Sequence, residues 1–175
     1  MIPRREIPWN RQTFLAVGLA AMIPLLLFTR VLAVVRVEGL SMAPGLLNRD
    51  RLIVLRPGFF FTDYRRFDIV VFAPPPGQGH GPMIKRIIGL PGETVSIEDG
   101  RFLVNHRPLD ISDAGAAPPQ ADMGAFRVPA DHCFVLGDNR NESRDSRVFG
   151  TVPLQSIIGR VFVRYWPLLR RSGPA

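Results

Sequence analysis

The chain has 175 residues, enough for one ordinary domain or for a smaller one plus an anchor. With 46% apolar and 21% charged residues it is neither disordered nor collagen-like, and its one cysteine excludes an intramolecular disulfide framework and a four-cysteine zinc site. The net charge of +7 suits nucleic acid, an anionic membrane surface, an acidic substrate or simply a basic solvated surface, while His80, His106 and His132 are too scattered for a helix-borne zinc motif.

Residues 12–29 carry no charge over 18 positions and are mostly Leu, Ala, Val, Ile and Phe, which predicts a transmembrane helix of minimal length. Pro24 is tolerable there, because local geometry re-satisfies the freed backbone group. A cleavable signal peptide is the rival reading, with Val31-Leu32-Ala33 as its cleavage site, but the apolar stretch is long for that. Arg4, Arg5 and Arg11 on one side balance Arg30, Arg36 and Arg49 on the other, so charge does not set the orientation.

Past residue 30 the apolar runs become short and β-branched. Strands are predicted at 30–37, 51–55, 68–73, 83–90, 94–98, 101–104, 132–136 and 158–164. Asp99-Gly100 signals a type I′ hairpin between two of them. Residues 110–125, rich in Ala, Pro, Gly and Asp, read as a long exposed loop or small excursion. The expected fold class is therefore mostly β, a bent antiparallel sheet domain (31–175) behind a single N-terminal transmembrane helix (1–30).

Three segments carry candidate chemistry. In Val37-Glu38-Gly39-Leu40-Ser41-Met42-Ala43-Pro44 a strand ends near a glycine and a serine enters a proline-bearing turn. Such a turn exposes a nucleophilic hydroxyl and aims backbone N–H groups at an oxyanion, although an ordinary turn serine looks the same. In Met83-Ile84-Lys85-Arg86-Ile87-Ile88 a lysine sits inside an apolar strand, and it is the one lysine among 22 basic side chains. Buried lysine loses its proton where arginine does not, so Lys85 is a candidate general base; a strand lysine facing outward is the alternative. Lys85 and Arg86 fall on opposite strand faces. The polar run Gly137-Asp138-Asn139-Arg140-Asn141-Glu142-Ser143-Arg144-Asp145-Ser146-Arg147 follows an apolar strand and reads either as a solvated loop or as a hydrogen-bonded brace.

In order and in residues, these segments resemble bacterial signal peptidase I: Ser41-Met42-Ala43-Pro44, then 85–92, then 137–147, behind an apolar anchor. The resemblance implies a membrane-bound serine protease that removes signal peptides from exported preproteins. Ser41 would be the nucleophile and Lys85 its base. Ser143 would orient the lysine by a hydrogen bond, Asp145 and Arg147 would pair to brace the site, and Asp138 would be a further structural member. Small side chains of the substrate would sit in shallow apolar pockets, for which Val37, Met42 and Ile84 are the candidates with Gly39 beside them. The resemblance also implies no cofactor, metal, nucleic acid or obligatory protein partner. The N-terminus would be cytoplasmic, and the catalytic domain extracytoplasmic at the bilayer face of the cell membrane. Phe59-Phe60-Phe61 and Tyr165-Trp166-Pro167-Leu168-Leu169 would touch either lipid or core.

Three positions depart from the family pattern. Gly45 stands where threonine is frequent, Asn141-Glu142 replaces Asp-Asn, and Gly39 removes a hydroxyl that supplements the oxyanion hole in some members, leaving the Ser41 backbone N–H as the expected donor. Rival readings are a conjugation-associated peptidase of the same superfamily, a self-cleaving repressor-type protease, a Ser-His-Asp hydrolase and a non-catalytic membrane-tethered binding module. The repressor type would need a DNA-binding domain where this chain has an apolar span, and no histidine lies in a hydrolase motif.

Overall fold

A computed structural model describes residues 10–58, 63–79, 81–111 and 121–167, with the side chains of 23–29 outside the description. The expectations about residues 1–9, 59–61, His80, Leu168 and Leu169 also lie outside it, as does most of the predicted 110–125 loop.

Helix α1 (Arg11–Val31) starts where Asn10 Oδ1 accepts the Thr13 N–H at 2.9 Å, satisfying one of the free donors of the first turn. Its 21 residues reach about 31 Å at the usual 1.5 Å rise. Phe14, Leu15, Val17, Leu19 and Met22 are exposed on it. Among the described residues, no helix is both long and apolar enough to cross a membrane. The second half of the predicted span coincides with the undescribed side chains 23–29.

The rest is antiparallel β structure in two sheets. The larger joins β1 (Leu32–Arg36), β2 (Arg51–Leu55), β3 (Ile69–Phe72), β4 (Met83–Gly89), β9 (His132–Leu136), β10 (Val152–Pro153) and β11 (Ile157–Trp166) in the order β1-β2-β11-β3-β4-β9-β10. The smaller orders β7 (Arg107–Pro108), β6 (Arg101–Val104), β5 (Thr94–Glu98) and β8 (Met123–Arg127) as β7-β6-β5-β8. Register shifts where β11 meets β2 and β3, and where β4 meets β9, bend the larger sheet. Gly159 lies on one of these bends; a Cβ there would collide with the Leu55 carbonyl.

The mostly β, bent antiparallel architecture matches the expectation. The β5–β6 turn has positive φ at Asp99 (49°) and Gly100 (70°), as a type I′ turn requires. A second pair of positive φ values, Asn105 (51°) and His106 (64°), turns β6 into β7, which the sequence did not signal. Within 110–125 the chain is not all loop: β8 begins at Met123 and pairs with β5. The polar run also holds a short helix, α2 (Ser146–Phe149), whose N-terminus Asp145 caps through the Arg147 N–H.

Three apolar clusters hold these layers together. Ile88, Val95, Phe102, Val128 and Phe134 seal the small sheet against β4 and β9. Val70, Phe72, Ile87 and Val135 pack the far end of β3, β4 and β9. Val37, Met42, Leu46, Leu52, Val54, Val71 and Ile84 form the third, and they seat the serine turn on the large sheet.

Candidate active site

The serine turn is fixed at both ends. Val37 N–H donates to the Asp50 carbonyl and Arg49 N–H returns to Val37, both at 2.8 Å. Gly39 takes φ +86°, a value that L side chains rarely adopt, and redirects the chain out of β1. Leu40 and Met42 carbonyls accept from Ala43 (3.0 Å) and Leu46 (2.9 Å), closing two successive turns around Ser41. Met42 is 1% exposed, so its side chain pins the turn while Ser41, next to it, stays half-buried.

Strand β4 brings the partner. Lys85 lies opposite Val70 of β3, 3% exposed, and its Nζ is 2.6 Å from Ser41 Oγ. Burial lowers the lysine pKa from 10.5 to about 8; Asp145 and Asp138 oppose that, and Arg147 reinforces it. Near pH 8 the amine is therefore half deprotonated and in contact with a hydroxyl, which is what a lysine general base needs. Arg86, on the opposite strand face, is not turned out to solvent. Its Nε and Nη2 hold Asp138 Oδ1 and Oδ2 at 2.8 and 2.6 Å.

The polar run completes the surroundings and is a built structure, not a solvated loop. Asp145 is fully buried and takes Arg147 Nε and Nη2 at 2.8 and 2.9 Å and the Gly137 N–H at 3.0 Å. Asn139 N–H donates to the Ser41 carbonyl at 3.0 Å, tying this run to the serine turn. Gly137 is needed for that approach: a Cβ would lie 2.5 Å from the Ser41 carbonyl oxygen and collide with Ser143.

The structure thus brings together Ser41 and Lys85, Asp145 and Arg147, and Arg86 and Asp138. One expected contact is missing. Ser143 Oγ is buried and finds no hydrogen-bond partner, so it does not bond Lys85; it packs against the Gly137 backbone, while Lys85 Nζ is directed at Ser41. Val37, Met42 and Ile84 do cluster beside the dyad, but all are buried, so they present a floor and not open walls. The described histidines are elsewhere: His106 is in the β6–β7 turn and His132 bonds Asp131 at 2.7 Å. Among the described residues, no group of His, Cys, Asp and Glu could hold a metal ion.

Reading the sequence alone missed Arg86 as part of the site. Its partner Asp138 is 52 residues away, and only the β4–β9 pairing brings the two together. It also missed the ties through the Asn139 N–H and Gly137, which are backbone features that carry no residue-type signal.

Comparison with known proteins gives the family. The family described as signal peptidase, peptidase S26, matches residues 9–166. A signal peptidase I of Leptolyngbya laminosa is 44% identical over 160 residues, covering 88% of this chain and 78% of that protein. A signal peptidase I of Bacillus caldolyticus is 36% identical over 176 residues, covering 93% and 91%. A solved signal peptidase I of Enterococcus faecalis aligns with 58% of this chain and 99% of its own at 33% identity and a TM-score of 0.47, too loose a superposition to carry any inference. The extent of the match and the identity of these relatives show that the chain belongs to the signal peptidase, peptidase S26, family.

Proposed function

We propose that the protein is a membrane-anchored serine endopeptidase that removes N-terminal signal peptides from exported preproteins, with Ser41 as nucleophile and Lys85 as general base. The observation that carries this reading is the 2.6 Å contact between Ser41 Oγ and a buried Lys85 whose pKa is lowered to about 8. Neutral Lys85 accepts the Ser41 hydroxyl proton as Oγ adds to the scissile carbonyl carbon. The tetrahedral oxyanion is received by the Ser41 backbone N–H, which has no acceptor of its own among the described residues. Protonated Lys85 then gives its proton to the leaving amine, and an acyl-enzyme remains. Neutral again, Lys85 deprotonates the water that releases the signal peptide.

The Asp145–Arg147 and Arg86–Asp138 pairs brace the lysine and the serine turn, and Val37, Met42 and Ile84 floor the pockets for small substrate side chains under Gly39. Helix α1, with its exposed apolar side chains, anchors the chain in the bilayer, N-terminus cytoplasmic and catalytic domain extracytoplasmic. The test is cleavage of a purified preprotein by the full chain in detergent or lipid. Ser41→Ala, Lys85→Arg and their double variant are each expected to fall to the same floor, since the two residues act as one unit. Near-parental cleavage by Lys85→Arg, which cannot offer a neutral base, would overturn the reading.

A further inference from the structure

Leu40 precedes the nucleophile, and the fold does not account for its side chain. Its carbonyl closes the first turn by accepting the Ala43 N–H at 3.0 Å, which any residue could do. Its side chain is 52% exposed and, among the described residues, belongs to none of the three apolar clusters. Met42, 1% exposed, pins the turn to the sheet, and Gly39, at φ +86°, redirects the chain. A single exposed leucine is ordinary on a protein surface. One peptide bond from a nucleophilic serine it is different, because covalent geometry bounds what lies beside it.

With Ser41 as nucleophile and its backbone N–H as oxyanion donor, the reading on which this step rests, distances around the scissile bond are bounded. Leu40 Cα is about 2.4 Å from the Ser41 nitrogen by standard bond lengths, and an oxyanion accepting there sits about 3 Å beyond. The Cα of the substrate's +1 residue, the first of the released protein, is about 3 Å from that oxygen, so it lies within about 8 Å of Leu40 Cα. The −2 Cα is about 5 Å from the same oxygen and is bounded less tightly. Direction selects as well. The −1 side chain goes to the floor of Val37, Met42 and Ile84, all buried. In an extended substrate the next side chain points the opposite way, out of that floor. Leu40 is exposed on the outward side. We infer that Leu40 is a specificity-determining residue whose side chain lies against the +1 side chain of the preprotein and reads its size and charge. It meets that residue only until the leaving amine departs, so it acts in acylation and not in hydrolysis of the acyl-enzyme. Leucine offers contact to an uncharged +1 side chain and nothing to neutralise a charged one.

The test is a competition assay with the full chain in detergent. Forms of one preprotein that differ at +1 (Ala, Leu, Lys or Asp) share the enzyme, and the ratio of their kcat/KM values is read. Leu40→Asp is expected to shift the Lys-to-Asp ratio toward Lys, and Leu40→Lys toward Asp, each by about sevenfold at low salt, from a factor of about three for each charge pair at ~7 Å in water. The −1 Ala-to-Gly ratio is expected to stay parental, because the floor is untouched. Leu40→Ala adds no charge and is expected to lower the preference for +1 Leu over +1 Ala by about threefold. The position is exposed, so all three variants are expected to fold, which their melting temperatures check. Ratios that remain parental in both charged variants overturn the inference. So does a shift confined to a −2 Lys and Asp series, which puts Leu40 against the acyl side. An equal shift when the charge is moved to +6 overturns it too, by making the effect one of general potential. A parent that cleaves no preprotein overturns the catalytic reading and this inference with it, whereas cleavage that continues with unchanged ratios overturns the inference alone.

Discussion

Burying Lys85 makes a stability prediction with a definite sign. Its pKa falls from 10.5 to about 8 on folding, so between those values the unfolded chain binds more protons than the folded one, and stability rises with pH across that window. Below pH 8 the folded protein carries the full penalty of a buried ammonium, about 3 kcal/mol at ~1.4 kcal/mol per pKa unit. The side chain is only 3% exposed, so solvent screening takes little from that figure. Lys85→Met removes the charge and keeps most of the volume. It is expected to abolish cleavage and yet raise stability at pH 7 by up to about 3 kcal/mol, or roughly 6–12 °C in Tm. The gain over the parent should shrink as pH rises through 8 and vanish near 10.5. Thermal or urea unfolding of both proteins at pH 7, 9 and 10.5 reads this difference, in which all other titrations cancel. A Lys85→Met protein that is less stable at pH 7, or more stable by a pH-independent amount, would refute the reasoning.

Further expectations follow from the same geometry. Cleavage should rise with pH to a half-maximal kcat/KM near pH 8, as Lys85 loses its proton; a flat profile between pH 6 and 9 would contradict that. Asp145→Asn leaves Arg147 without its carboxylate and should cost roughly 3 kcal/mol of unfolding free energy; because Asp145 is the charge that most raises the Lys85 pKa, the half-maximal pH of residual activity should move down, not up. Gly45→Ser should stabilise by about 1 kcal/mol in chemical denaturation, since Gly45 needs no positive φ, its Cβ would sit 3.4 Å from Asp138 Oδ2, and the hydroxyl can donate there; a lower midpoint would count against this placement.

Elements with strong local signals were legible in the sequence. The 51–55, 94–98, 101–104 and 132–136 strands begin and end where β-branched runs and turn residues say they should. The two-residue strands β7 and β10 and the Gly-Ala-containing β8 were not legible, because each is specified by its partner and not by its own residues. The same division runs through the site. Lys85 could be singled out because it is the one lysine of the chain and sits in an apolar strand, whereas Ser41, in a turn like many others, stood out only through the order of the three motifs. The failure at Ser143 has a geometric cause: motif position places its hydroxyl near the lysine, but side-chain direction turns it onto Gly137.

Arg86, Arg147 and the lone lysine then have one explanation at this site. A buried aspartate beside Lys85 would hold the ammonium charged, since opposite charge at short range raises a lysine pKa. Asp138 and Asp145 are both there, yet each gives both its oxygens to an arginine, Arg86 or Arg147, that cannot surrender its proton. The aspartates can thus hold β4, the serine turn and the polar run together while much of their negative potential is cancelled before it reaches the lysine. Substituting lysine for either arginine would put a second titratable amine into the same cluster, able to give up its proton and leave its aspartate to act on Lys85. Permanent cations around one deprotonatable amine let burial win, and the lysine stays near pH 8 where a neutral base is available.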